Sequence, residues 1–383
     1  MKKMTNYRVI IACLVCMLLI AACTSSGDVS PQRQQQQQQQ GSWLVQGQWR
    51  GQPQDPRQVQ ETREKIIAAR SLMQPGDVND IGYIWMMPRA DTLQDLMRRL
   101  QDWPQTQALI DILGYADHRL SGHNSEGVLQ ECFAVMNRIG LQLGLEVGAV
   151  KEWGIDAEGT FNAQKPNWDR FIRLGANIGG IVMDEPLVAV MNSRQFSHLE
   201  SYEERFEFAV EETAEFIRMV RESYPTWFVA DIEVYPHFDA DFVIQWIDAL
   251  EARLIEKGVR GQDFFRMDVD WNAMPRQTVA EWEHGWREIK RIEDHCRSIG
   301  LPFSQIYWAA DAGASARIRS NPARWLDGIM RMGEAYEDAG GMPEQFVIQT
   351  WIEEYPPSTL PETEEFSFTH SVLEFNRRFI PPR

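Results

Sequence analysis

Residues 178–234 decide the fold: IGGIVMDEP (178–186), EERFEFAVEETAEFIRMVRES (203–223) and WFVADIEV (227–234). The first and third runs are short, apolar and rich in β-branched residues, as strands buried on both faces are. The middle run repeats apolar residues at helical spacing and is long enough for six turns. A strand, an amphipathic helix and a second strand in this order predict a parallel βαβ unit.

The same alternation extends in both directions. Strands are expected at 81–87, 108–115, 145–150, 178–183, 227–234, 264–269, 305–310 and 346–351. Clear helices are expected at 203–223, 240–257, 279–300, 323–340 and 366–378, with shorter ones at 92–101, 127–143 and 167–174 and one ahead of the first strand at 57–72. Eight strands, each followed by a helix, predict an α/β fold of the (β/α)8 or TIM-barrel type, with a doubly wound open sheet as the alternative. No Gly-x-Gly-x-x-Gly follows the first strand, which counts against a dinucleotide-binding sheet.

In a barrel the reacting groups sit at the carboxyl ends of the strands. Those positions are acidic and aromatic: Trp153 after the third strand, Asp184 and Glu185 after the fourth, Asp231, Glu233 and Tyr235 on the fifth, Arg266, Asp268, Asp270 and Trp271 on and after the sixth, Asp311 after the seventh, and Trp351 and Glu353 at the eighth. Alternation along a strand gives Asp231 and Glu233 one face, and likewise Arg266, Asp268 and Asp270, or Glu146, Gly148 and Val150. If those faces line the barrel, carboxylates converge on one opening. Crowding there pushes their pKa values apart, so that one group keeps a proton and another ionises, the division of labour glycoside hydrolysis needs. Indoles suit a sugar partner because they offer an apolar face to its C–H side. The seven His show neither His-x-His nor His-Glu-x-x-His, and no Gly-x-Ser-x-Gly occurs, so neither a histidine-built zinc centre nor an α/β-hydrolase elbow is expected; no metal or cofactor is expected, with Ca²⁺ or Mg²⁺ on the carboxylate oxygens as the lesser alternative.

Ile181-Val182-Met183-Asp184-Glu185-Pro186 resembles the end of the fourth strand in the large clan of (β/α)8 glycoside hydrolases, where Asn-Glu-Pro supplies the general acid/base. Gln349-Thr350-Trp351 is similar to that clan's sugar-stacking tryptophan segment. The resemblance implies that Glu185 is the acid/base, that Trp351 stacks a sugar and that Asp311 stands where the clan has its nucleophilic glutamate. Asp184 in place of asparagine and Asp311 in place of glutamate depart from the pattern. On position alone Glu233 is the first choice for the second carboxylate, with Asp268 or Asp270 as alternatives, and an inverting pair would need roughly 6.5–9.5 Å between carboxyls. Asp184, Asp231, Tyr235, Arg266, Asp268, Asp270 and Glu353 are expected to bind hydroxyls, with Trp153, Trp271 and Trp351 as stacking platforms.

The amino terminus adds an address. Lys2, Lys3 and Arg8 precede an apolar stretch from Val9 to Ile20, too short to span a bilayer well, which ends in Ala21-Ala22-Cys23. Leu19–Cys23 resembles the lipobox of bacterial lipoproteins. That resemblance implies removal of residues 1–22 as a signal peptide, lipid on Cys23 and, with Thr24 rather than Asp next, an outer-membrane place in a Gram-negative cell envelope. Residues 23–56, with the run Gln34–Gln40, read as a disordered tether, and 57–383 as the barrel domain. A net charge of −17 disfavours nucleic acid and an anionic bilayer surface, so attachment is expected through the lipid. Cys132 and Cys296, the two cysteines of the barrel region, read as separate buried thiols in a monomer. The function expected is hydrolysis of an oligo- or polysaccharide from a membrane tether. The alternative is a carbohydrate-binding lipoprotein on a degenerate, non-catalytic barrel.

Overall fold

The computed structural model describes residues 54–74, 76–151, 154–275, 278–309, 321–350 and 357–382. Eight parallel strands close into a barrel in chain order: β1 (Ile84–Met87), β2 (Ile112–Ala116), β3 (Gln142–Val147), β4 (Ile178–Asp184), β5 (Phe228–Tyr235), β6 (Phe264–Val269), β7 (Phe303–Tyr307) and β8 (Gln345–Gln349). Helix α1 (Pro56–Arg70) precedes them; α2 (Leu93–Arg98) and α3 (Pro104–Leu109) follow β1, and α4 (Asp117–His123) and α5 (Glu126–Ile139) follow β2. Then come α6 (Ala157–Arg173) after β3, α7 (Pro186–Asn192) and α8 (Tyr202–Ser223) after β4, and α9 (Ala240–Glu256), α10 (Val279–Ser298), α11 (Pro322–Asp338) and α12 (Phe368–Phe379) after the last four strands. The fold is the (β/α)8 barrel the alternation predicts. No helix among the described residues is long and apolar enough to cross a membrane.

Residues paired across parallel strands share a face, so the register traces the barrel interior. It runs from Trp85 to Ile112 and Gln142, from Gly144 to Gly180 and Phe228, from Asp184 to Ile232, Arg266, Ser304 and Gln345, and from Val347 back to Trp85. Trp85 fills this interior. Its indole covers Gly144, where a Cβ would stand 2.3 Å from Trp85 Cζ3, so only glycine fits opposite the ring. The Arg266 guanidinium lies 4.1 Å from the Trp85 ring centroid and donates to Ser304 Oγ at 3.0 Å and to the Gln345 side-chain oxygen.

The helices wrap this barrel by burying one face each. In α8, Phe206, Ala209, Val210, Thr213, Phe216, Ile217 and Val220 are buried, while the Ser201–Glu204 capping box satisfies its first amides. Two boundaries differ from the expected ones for physical reasons. The helix expected over 127–143 stops at Ile139 because Gly140 takes φ 78° as a left-handed cap, and β3 therefore starts early, at Gln142. The helix expected only from Asn167 begins at Ala157 and continues through Pro166, because Phe161, Gln164, Trp168 and Phe171 bury on one face and packing outweighs the missing amide. Residues 108 and 109, read as the start of β2, close α3 instead. Cys132 and Cys296 are both buried and unbridged.

Candidate active site

Three carboxylates share the inner face near the strand ends: Glu146 on β3, Asp184 on β4 and Asp268 on β6, since Glu146 pairs with Val182, Asp184 with Ile232, and Asp268 with Val234. Glu185 comes next in the chain and turns the backbone sharply, with φ 56° and ψ 51°. A left-handed glutamate costs on the order of 1–3 kcal/mol and persists only where its surroundings enforce it. Here its N–H donates to Ile232 O at 3.0 Å and Pro186 starts α7 immediately after it. Strain of this kind concentrates at functional positions.

Loops past β3, β5 and β6 bring further charges. Lys151 Nζ donates to Asp184 Oδ2 and lies 3.7 Å from Glu185 Oε2. His237 Nε2 lies 3.5 Å from Asp270 Oδ2, while Asp270 Oδ1 accepts from the amides of Asn272 at 2.8 Å and Ala273 at 3.1 Å. Trp308 Nε1 donates to Asp268 Oδ1 at 2.5 Å, and Gln349 Nε2 donates to Glu146 Oε2 at 3.4 Å.

These surroundings separate the carboxyls by proton affinity. Burial, reinforced by the charge of Asp184, pushes Glu146 up to about 8 against the pull of Lys151 and Arg266. Burial also raises Glu185, with Lys151 opposing, although 26% of its side chain still meets solvent. Asp268 is raised well above the carboxylate range by burial, which the Trp308 hydrogen bond only partly offsets. Asp270 goes the other way: burial pushes it up, but the His237 contact and two backbone amides outweigh that and leave it below an ordinary aspartate. For Lys151, burial favours the neutral amine, yet Asp184 and Glu185 hold it in the charged form. His237 is raised likewise, since Asp270 and Glu185 overcome its burial. The strand ends therefore carry carboxyls tuned in opposite directions, Glu146, Glu185 and Asp268 upward and Asp270 downward.

Of the residues singled out from sequence, Asp184, Glu185, Asp268 and Asp270 come together at this end. Arg266 lies deeper, fully buried among barrel side chains, with burial pushing it down to about 9. Asp231 and Glu233 do share a face, but it is the outer one. Ile232, which pairs with Asp184 and Arg266, points inward between them. Asp231 instead accepts from Trp246 Nε1 on α9 at 2.6 Å. Glu233 accepts from the amides of Leu187 at 2.7 Å and Val188 at 3.3 Å in the first turn of α7. Burial raises both acids, Asp231 to about 7.

Tyr235 also faces the helices: a Cβ built on Gly285 of α10 would meet its ring edge at 3.4 Å. Trp271 is 8% exposed and packs against Trp282 and beside Gly328 on α11. Trp153, Asp311, Trp351, Glu353 and Cys23 lie outside the described residues. Lys151 and His237 are the contributors that were not singled out from the sequence. Lys151 and His237 were findable by the rule that residues just past a strand end face the opening. Among the described residues no group of three or more His, Cys, Asp or Glu side chains could hold a metal ion.

No protein-family model matches the chain, and no curated protein matches it. Among solved structures it is similar to the catalytic domain of a GH26 endo-β-1,4-mannanase from Bacillus sp. JAMB-750, with 12% identity and a TM-score of 0.47 over 82% of this chain and 90% of that one. It is also similar to a D-psicose 3-epimerase, with 12% identity and a TM-score of 0.43 over 78% and 99% of the two chains. A phospho-2-dehydro-3-deoxyheptonate aldolase from Thermotoga maritima matches with 10% identity and a TM-score of 0.39 over 80% and 71%.

Proposed function

We propose that this chain is a lipid-anchored glycoside hydrolase of the bacterial envelope, cleaving an oligo- or polysaccharide at the barrel opening with Glu185 as general acid. The observation that carries the reading is the opposed tuning of the carboxyls past β4 and β6: burial raises the proton affinity of Glu185, while the His237 contact and two amides outweigh burial and lower that of Asp270. An acid that holds its proton beside a carboxylate that has lost one is what protonation of a leaving oxygen and stabilisation of an oxocarbenium ion require. Glu185 would protonate the glycosidic oxygen as its C–O bond breaks. Asp270 would face the developing positive charge, either directly or through an attacking water. Asp311 stays a candidate for the second carboxylate through the resemblance alone. The charged state of Lys151 argues against Schiff-base chemistry, which needs a neutral amine. Cys23 and the apolar segment before it support the tether, and Thr24 in place of Asp supports the outer-membrane site.

The test is a glycan panel offered to the full chain, with reducing ends measured. Glu185→Gln should slow release of reducing ends from any responsive glycan by about 100-fold or more, the usual worth of a general acid. Undiminished hydrolysis would remove Glu185 from the chemistry. Glycan binding without release by the unaltered chain would favour the non-catalytic carbohydrate-binding alternative.

A further inference from the structure

We infer that Lys151 is the positioning residue of this opening: its ammonium clamps the consecutive side chains of Asp184 and Glu185 and supplies the countercharge against which Glu185 releases its proton. The inference rests on the proposed role of Glu185 and adds a residue to it. Three features carry it. Lys151 reaches two successive carboxylates from a different strand end, donating to Asp184 and lying 3.7 Å from Glu185. It does so with 14% of its side chain exposed, a setting in which an ion pair is screened far less than on the surface. And the left-handed backbone of Glu185 fixes the point from which its side chain leaves the chain, directly after Asp184, so both carboxyls start within reach of one ammonium.

When the O–H bond of Glu185 passes its proton to a glycosidic oxygen and the C–O bond breaks, a carboxylate remains on Glu185. Its surroundings are mostly unfavourable to that charge. Asp184 precedes it and Asp270 lies past β6, both disfavouring a new negative charge. Glu146, Asp268 and, from the outer side of β5, the buried Glu233 are disfavoured by it in turn. Two cations oppose them, Lys151 and His237, and Lys151 is the stronger influence on Glu185. His237 is already engaged by Asp270. Lys151 is thus the group that makes proton donation reversible here rather than prohibitive.

The experiment titrates Glu185 by carboxyl NMR in the full chain and in Lys151→Gln and Lys151→Arg, with Glu185→Gln used for assignment. Loss of a cation within about 4–6 Å should raise the Glu185 midpoint in Lys151→Gln by about one pH unit or more, and Lys151→Arg should restore most of the original midpoint. If a responsive glycan is found, the alkaline limb of the kcat/KM profile should move up in step in Lys151→Gln, since the acid then keeps its proton to higher pH. An unchanged Glu185 midpoint in Lys151→Gln overturns the inference. A shifted midpoint together with hydrolysis indifferent to Glu185→Gln upholds the clamp and removes the sugar-cleaving role, so the two failures are distinguishable.

Discussion

Glu233 separates the observed geometry from the one the sequence suggested, and its replacement is the sharpest test of the difference. Its carboxyl is fully buried on the outer face of β5 and accepts from the Leu187 and Val188 amides, two residues and three past Glu185. Glu233→Ala would leave two buried N–H donors without partners, at about 1–3 kcal/mol each. Recovery of the desolvation cost of a buried acid offsets part of this, so a net loss of about 2–4 kcal/mol is expected. At about 2 °C per kcal/mol, the low end of the range for domains of about 150–250 residues and suited to a larger barrel, Tm should fall by roughly 4–8 °C. Glu233→Gln behaves differently. Burial raises Glu233 well above the ordinary carboxylate range, so glutamine removes no strongly favoured charge and keeps an acceptor for Leu187, although its NH2 cannot accept from Val188. Glu233→Gln should therefore lose only about 1 kcal/mol and keep most hydrolysis of a responsive glycan. Thermal denaturation and reducing-end release measured on the same preparations decide the matter. A Glu233→Gln protein with unchanged Tm and activity reduced by about 100-fold, the mark of a lost catalytic group, would refute the outward placement.

Inside the barrel, Gly144→Ala would set a Cβ 2.3 Å from Trp85 Cζ3, and overpacking of that kind should cost about 1–3 kcal/mol in urea unfolding, less in a Trp85→Leu background. Stability should also fall as pH rises from about 5 to 8, given an unfolded carboxyl value of about 4. Glu146 at about 8, Asp231 at about 7, and the raised Glu233 and Asp268 still bind protons that the unfolded chain has already given up by the start of this window. The raised His237 adds in the same direction, because its contribution is complete at low pH and is lost as pH climbs through its folded value. Urea midpoints at pH 5.5 and 8 check this, and a higher midpoint at 8 would contradict it. Trp271→Leu should lower Tm while leaving glycan affinity unchanged, because the indole packs against Trp282 and Gly328; a loss of affinity at unchanged Tm would return it to the sugar-binding surface.

The barrel was legible because its signal is repeated: eight apolar runs with helices between them leave few alternative architectures. Which strand face points inward was not. Alternation says that Asp231 and Glu233 share a side but not which side, and a barrel strand is buried on both faces, so apolar Ile232 is no guide. Only the pairing of Ile232 with Asp184 and Arg266 fixes the phase. On β6 the same reasoning succeeded because Arg266 and Asp268 do face inward. Lys151 and His237 lie in irregular segments past strand ends, where no periodicity marks them, and their partners come from other strands. The early start of α6 was hidden for a related reason: packing that the local sequence does not reveal carries the helix through the local breaker Pro166.

The most direct measurement is a crystal structure of the Glu185→Gln protein holding a responsive oligosaccharide. The account predicts the glycosidic oxygen within about 2.6–3.2 Å of the residue-185 amide, the reach of a general acid, with the anomeric carbon turned toward Asp270. A sugar bound away from this end of the barrel, or seated there with Glu185 directed elsewhere, would contradict it.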